Sequence, residues 1–505
     1  MSADRPSQQP VFDFLENPST HGGGKVTRID THAAAVFLTE KRAFKVKRAV
    51  RFPFLDFSTL EKRKAACAAE IDINRRHAPG IYRGVVAITR EPDGRLRLDG
   101  KGQPVEYAVD MARFDETQTL DRLAAAGKLD ESLASELGRA VARGHHDAPV
   151  SRDANFFETL VEIARQNDSE LRAAKDVFTN ADVDALTRDT LAALDRCRAL
   201  LTGRERSGHV RRCHGDLHLG NIVLIDGQPV LFDALEFNPA FATIDTIYDL
   251  AFLLMDLIGR NLVPLANIVL NRYLDETGDD SDLDALAALP LMMSLRAAIR
   301  AKVTAARPNR DTALTQSARD YLALARRLIA PPAPRLIAVG GLSGTGKSVL
   351  ARALAAYAAP LPGAVLLRSD VLRKRMFGAS ETQPLPPDAY RPAVTARVYE
   401  TLTGKAARVL AAGHSAVADA VFARADEREA LARLAPGAFH GLFLTAGLAT
   451  RIARVGGRRN DASDADAAVA RAQEDYALGT LNWREVDASG TPEETLQRSK
   501  AALGL

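Results

Sequence analysis

The sequence predicts two folds in series: an α+β bilobal domain, then an α/β domain built on a parallel sheet. Three observations predict them. Up to about residue 112 the chain alternates short strand-like runs, and from about 113 to 330 it turns mostly helical. At Ala330-Pro331-Pro332-Ala333-Pro334 clustered prolines remove backbone donors and stop the preceding helix. Directly beyond stands an apolar run, a glycine-rich loop and an amphipathic stretch. The expected organisation is therefore 1–330 (small lobe about 25–112, helical lobe about 113–330), a proline-rich linker at 331–335, and a second domain over 336–505.

In chain order, the small lobe should hold strands at Val26–Ile29, Ala35–Thr39, Ala43–Lys47, Val85–Thr89 and Val105–Met111 around one helix, Leu60–Arg76. The helical lobe carries a strand pair at Ile222–Leu224 and Val230–Phe232 and an apolar core helix at Ile247–Ile258. A helix over Tyr321–Ile329 ends at the prolines. In the second domain, Leu336–Val339 is a strand, Val349–Tyr357 a helix, and Val365–Leu367 and Ala416–Asp419 further strands.

Composition narrows the class. The 505 residues exceed what one core holds. A net charge of +3 leaves no nucleic-acid footprint, and no apolar run is long enough to span a membrane. Three scattered cysteines, Cys67, Cys197 and Cys213, and a polar N-terminus fit a reduced cytoplasmic protein without a disulfide framework. Oligomeric state stays open.

Two constellations carry chemistry. The first is His214-Gly215-Asp216-Leu217-His218-Leu219-Gly220-Asn221, followed by Phe232-Asp233. A carboxylate in a loop (Asp216) can take the proton of an incoming hydroxyl. Asn221 can offer a neutral oxygen to Mg²⁺, and Asp233 an ionised one. This set resembles the catalytic loop and metal aspartate of kinases. The sheet-then-helix layout matches, so the fold expectation is an α+β protein-kinase-like bilobal domain. Its His-Gly-Asp-x-His form points to the aminoglycoside-phosphotransferase family. The resemblance implies a strand lysine on the phosphates and a helix glutamate to orient it. Lys45 is chosen, with Lys47 on the same face as rival; Glu70 is chosen, with Glu61 as competitor. It also implies bracing roles for His214 and Asp249, and a hinge at Tyr107–Met111. Glu236 is an extra metal ligand or a surface carboxylate. The turn Asp30–Ala34 holds no glycine, so a Gly-rich phosphate loop is absent. The run Asp279, Asp280, Asp282, Asp284 reads as a solvated loop.

The second constellation is Gly341-Leu342-Ser343-Gly344-Thr345-Gly346-Lys347-Ser348, the Walker A pattern between strand and helix. Its glycines, with Ser343 and Thr345, turn amides inward toward phosphates, Lys347 reaches the β/γ oxygens, and Ser348 binds Mg²⁺. Beyond it, Asp370 at a strand's carboxyl edge is assigned as general base and Arg373 as substrate anchor. Asp419 is a carboxylate for the Mg²⁺ water shell or, alternatively, a helix N-cap. Arg454 and Arg458, with Arg451 and Arg459, form a lid over the triphosphate or an ordinary basic face. The arrangement is similar to gluconate kinase, chloramphenicol phosphotransferase and zeta-toxin-like P-loop kinases.

Across nearly its full length the chain resembles the bacterial bifunctional aminoglycoside-phosphotransferase/ATP-binding proteins. Further features carrying that likeness are Thr31-His32, Phe54-Leu55-Asp56-Phe57, Asn74-Arg75-Arg76 and Asp461-Ala462-Ser463-Asp464-Ala465. The resemblance implies a bifunctional kinase using ATP (or GTP) and Mg²⁺ to phosphorylate hydroxyls of small-molecule acceptors. The alternatives are one catalytic centre with a regulatory nucleotide site, or a toxin-like module acting on a nucleotide-sugar or macromolecule.

Overall fold

The structure, a computed structural model, describes residues 7–52, 55–457 and 461–505. Contacts gather the chain into two compact units. One holds the described residues up to Thr159 with Thr202–Leu253, the other Leu160–Leu201 with Leu254–Leu505.

The first unit is built on a six-stranded antiparallel sheet. Its order is Thr27–Asp30, Ala34–Leu38, Arg42–Lys47, Gln103–Ala112, Tyr82–Arg90, Leu96–Leu98. Alternation along Arg42–Lys47 decides its two faces. Phe44 and Val46 enter a core with Phe12, Leu15, Val86 and Ile88, so Lys45 and Lys47 are left for the other face. The first face is covered by a helix, Gln9–Glu16, that the sequence reading passes over as a polar terminus. The second face receives helix Leu60–His77 through Cys67 and Ile71. That helix is N-capped by Thr59, whose hydroxyl accepts from Lys62 N at 3.3 Å. The glycine-free turn closes on itself instead: Thr31 Oγ1 accepts from Ala34 N at 2.9 Å, and Thr31 N donates to Ala34 O at 2.8 Å.

The second unit contains a five-stranded parallel sheet ordered Val365–Arg368, Ala416–Asp419, Leu336–Gly341, Phe439–Thr445, Arg484–Asp487. Leu336–Gly341 is central and wholly buried, as a parallel strand with both faces covered must be. Helix Lys347–Ala355 packs on it through Leu350 and Leu354. The outer strand would present bare amides and carbonyls. Helix Val263–Thr277 caps them: Asn267 and Asn271 Nδ2 donate to Ala364 O at 3.0 and 3.1 Å, and Leu366 N donates to Asn271 Oδ1 at 2.7 Å.

The acidic run is not a solvated loop. Asp279 caps helix Asp280–Ala285, and Asp282 is buried. Asp280 pairs with Lys405, and Asp284 takes a two-pronged bond from Arg408 at 2.6 and 2.7 Å. The cations that order this run lie over a hundred residues downstream, where local sequence cannot announce them. Among the described residues no helix is long and apolar enough to cross a membrane.

Buried histidines set an acid limit. Burial pushes His414, whose Nε2 faces Gly363 O at 2.8 Å, down to about 4, and pushes His77 down to about 4 with help from His214. The folded chain therefore binds these protons less readily than the unfolded chain. Stability is full above about pH 6.5 and falls as pH drops from 6.5 through 4, by up to about 3 kcal/mol per ring. Urea unfolding measured across that window should show this slope, and His414→Gln should lower it by about one proton. An unchanged slope in the variant would contradict the assignment.

Candidate active sites

In the first unit, the strand that exposes Lys45 and Lys47 faces the helix that carries Glu70. Lys45 Nζ lies 2.9 Å from Glu70 Oε1 and 2.5 Å from Asp233 Oδ1. Lys47 pairs with both Glu70 and Glu236. The choice between the two lysines thus dissolves, since Glu70 holds both, while Glu61 stays on the exposed side of the helix. Burial alone would raise Glu70, but Lys45 and Lys47 overcome it and hold the carboxyl at about 2. Glu236 is a buried ion-pair partner and not a surface carboxylate.

The catalytic-type loop is fixed from below. Asp249 accepts from Gly215 N at 2.9 Å and His214 N at 3.2 Å, and His145 Nε2 stands 3.0 Å from it. The His214 ring, Nε2 2.9 Å from Phe232 O, ties this loop to the strand before Asp233. Asn221 Nδ2 donates to Asp216 Oδ2 at 3.0 Å and to Asp216 O at 3.0 Å, which leaves its Oδ1 for a cation. Asp233 takes φ 61°, a conformation short polar side chains tolerate, and its N–H donates to Tyr82 Oη at 3.0 Å. Sequence reasoning missed the part played by Asn74. Its Oδ1 accepts from Ala234 N at 2.8 Å and so joins the Glu70 helix to the Asp233 loop. Its place one turn after Glu70 on the same helix was the available signal.

A cavity of about 450 Å³ opens over these groups. Val36, Leu38, Ala43, Met111 and Phe114 give it an apolar part, while Lys45, Asp216, Asp233 and Glu236 supply charge. The expected hinge shifts. Tyr107–Asp110 are interior strand residues, and it is Met111–Phe114 with Glu116 that line the cavity.

In the second unit the glycine loop runs from the central strand into helix Lys347–Ala355. At Gly344, φ is 88° and an added Cβ would lie 2.4 Å from Arg451 O, so no side chain fits. Lys347 is 5% exposed and makes no hydrogen bond or ion pair among the described residues. Asp419 ends its strand beside Arg368, whose Nε lies 3.3 Å from its Oδ2, and its Oδ1 is buried without a partner. It caps no helix, because the next one, Ala425–Ala432, begins after Arg424. Asp370 opens helix Ser369–Met376. Burial raises its carboxyl, and Asp419 adds to this against Lys347.

Two assignments meet a different environment, and a third falls outside the described residues. Arg373 is buried, donates to Ala389 O at 2.6 Å and lies 4.9 Å from the Tyr390 ring centre, so it holds the segment after its helix from beneath. Arg454 spends its guanidinium on backbone carbonyls, Ala488 O at 2.7 Å and Gly490 O at 2.8 Å, and is a clamp instead of a free lid cation. Arg458 lies outside the described residues.

Comparison with known proteins finds two family matches in series. A family model described as "Phosphotransferase enzyme family" matches residues 75–289, and one described as "AAA domain" matches 336–478. The uncharacterized proteins Rv2004c of Mycobacterium tuberculosis (strain ATCC 25618 / H37Rv) and Mb2027c of Mycobacterium bovis (strain ATCC BAA-935 / AF2122/97) are each 31% identical over 485 residues, covering 92% of this chain and 93% of theirs. The chain belongs to their two-domain family. On it, a kinase-type phosphotransferase domain precedes a P-loop kinase-type domain. Among solved structures, amicoumacin kinase hAmiN in complex with AMP-PNP, Ca2+ and Ami aligns at 15% identity over 64% of this chain and 94% of its own, TM-score 0.38. A gluconokinase from Sinorhizobium meliloti 1021 aligns at 23% over 34% and 92%, TM-score 0.25. Within this two-domain family chain, the phosphotransferase match takes in Asp216, Asn221 and Asp233 but begins after Lys45 and Glu70. The P-loop match, 336–478, takes in the glycine loop, Asp370, Asp419 and Gln473.

Proposed function

We propose that the chain is a phosphotransferase with two active centres, each moving the γ-phosphoryl group of ATP to a hydroxyl of a small molecule. One observation carries this reading. Each unit gathers a lysine suited to phosphate, an amide or carboxylate oxygen left for a cation, and a separate carboxylate suited to a proton: Lys45, Asn221 and Asp216 in one, Lys347, Asp419 and Asp370 in the other. A phosphoryl-transfer site needs those three parts and little else.

In the first centre the apolar cavity receives the base and Lys45 the phosphates. Asp216, oriented by Asn221, accepts the hydroxyl proton as the acceptor oxygen bonds to the γ-phosphorus and the bond to the ADP oxygen breaks. In the second, loop amides and Lys347 hold the triphosphate, and Asp370 takes the proton. Burial raises its carboxyl, which makes it a stronger base than an ordinary carboxylate. The residues fit a divalent ion. Asp233 and Asn221 would hold it in the first centre, and Ser348 with Asp419, whose buried Oδ1 lacks a partner, in the second. A bound Mg²⁺ supplies charge neutralisation to the phosphate oxygens.

The test incubates the full chain with ATP and a small-molecule cell extract and follows new phosphorylated species by mass. Two products are expected, one lost in Asp233→Ala and the other in Lys347→Ala. ATP consumption yielding only free phosphate would sink the proposal.

A further inference from the structure

One segment of the second unit touches the nucleotide side and the acceptor side at once. After Asp461 the chain runs through Ser463 and Asp464 into the short helix Ala467–Ala472, capped by Asp466, and a final turn at Gln473–Asp475. At one end, Asp464 is 18% exposed and accepts three hydrogen bonds. They come from Lys374 Nζ at 2.7 Å, Leu385 N at 3.0 Å and Tyr390 Oη at 2.5 Å. Lys374 lies one turn after Asp370 on the same helix, whereas Leu385 and Tyr390 belong to the loop that follows it. Asp464 therefore pins that loop onto the helix bearing the proposed base. Asp461, through Oδ1, lies 3.3 Å from Arg368 Nη2, and Arg368 in turn holds Asp419.

At the other end, Gln473 is 6% exposed and its Oε1 accepts from Ser343 N, inside the glycine loop, at 2.6 Å. Arg451 fixes the helix between the two ends by donating to Ala470 O at 2.9 Å and pairing with Glu474, and its own backbone lies against Gly344. Arg451 Nε and Nη1 are buried with no hydrogen-bond partner, so this end keeps donor capacity beside the glycine loop.

We infer that Asp461–Glu474 is a strap that makes closure of the acceptor loop depend on the state of the glycine loop, with Gln473 and Asp464 as its two positioning residues. The inference rests on the second centre being a nucleotide site. A bound phosphate chain pulls on the glycine loop, Gln473 transmits the shift along a short helix, and Asp464 moves the loop around Leu385 and Tyr390 against Asp370. The acceptor pocket is then completed only when the donor is present, which denies water the triphosphate.

The probe is ADP with Mg²⁺ on the full chain carrying Asp233→Asn, so that binding is read at the second centre, with Lys347→Ala as control. Binding is followed by calorimetry and the 381–390 loop by hydrogen exchange. ADP should slow exchange in that loop about fivefold or more. Gln473→Ala, which strands a buried amide, should weaken ADP about tenfold and abolish the protection. Asp464→Ala should also abolish it and weaken ADP by about the same fivefold, since loop closure and ADP binding are linked; should that variant fail to fold, Tyr390→Phe is read in its place and should reduce it. ADP binding with no protection of the loop, or protection unchanged in both variants, overturns the strap while leaving the kinase reading intact. Absence of Lys347-dependent ADP binding sinks the kinase reading and the strap with it.

Discussion

Asp216→Asn should lower turnover of the first centre by about 10²-fold or more and leave the second untouched, and Asp370→Asn should do the reverse, as expected for removing a positioned proton acceptor. Each product is quantified separately by mass at saturating ATP. Nucleotide affinity should change little in either variant, because neither carboxylate is the phosphate-holding group. The Asn replacements keep shape and one accepting oxygen. Asn221 Nδ2, 3.0 Å from Asp216 Oδ2, still finds that acceptor, so the fold around the loop is preserved. Should Asp216→Asn retain its product at more than about a tenth of the native rate, Asp216 does not move the proton. Should either variant silence both products, the centres are not independent.

Glu70→Ala is expected to cost the first unit about 3–5 kcal/mol, the loss typical when one member of a buried charge cluster is removed and its partners stay charged. Glu70 is fully buried and serves Lys45 and Lys47 together, and both lysines are held strongly protonated against burial by the surrounding carboxylates. Without it, Asp233 and Glu236 remain as counter-charges on one side only. The unfolding transition of the first unit, followed by hydrogen exchange of helix Leu60–His77, should move to lower denaturant. Adding Lys47→Met should recover part of the loss by deleting the stranded cation. A loss below about 1 kcal/mol would mean that water, not protein, neutralises these lysines.

The local patterns of both candidate sites were readable directly. Glycines before Lys347, an amide five places after Asp216 and an aspartate closing the next strand occur in few other settings, and the strands around them followed from short apolar runs. What escaped was set by partners distant along the chain. Arg454 looks like any lid arginine until the carbonyls of Ala488 and Gly490 surround it. Asp280 and Asp284 look solvated until Lys405 and Arg408 meet them. Gln473 carries no local pattern, and Asp464, visible only as part of the run 461–465, had no role to read from it, since their meaning lies in Ser343, Leu385 and Tyr390. The small-lobe pair was half legible: two lysines at strand spacing were visible, but not that a single glutamate would serve both.

The asparagine pair on helix Val263–Thr277 bears on how this protein can be divided. The proline seam invites a cut, yet Asn267 and Asn271 come from before it and satisfy the rim of the parallel sheet after it. A fragment starting at Pro332 would bare that rim and leave Ala364 O and Leu366 N without these partners. The proline seam is thus not where the parallel sheet ends its dependence on the chain: part of its edge is supplied by a helix that precedes the prolines, and a cut there would need that edge redesigned.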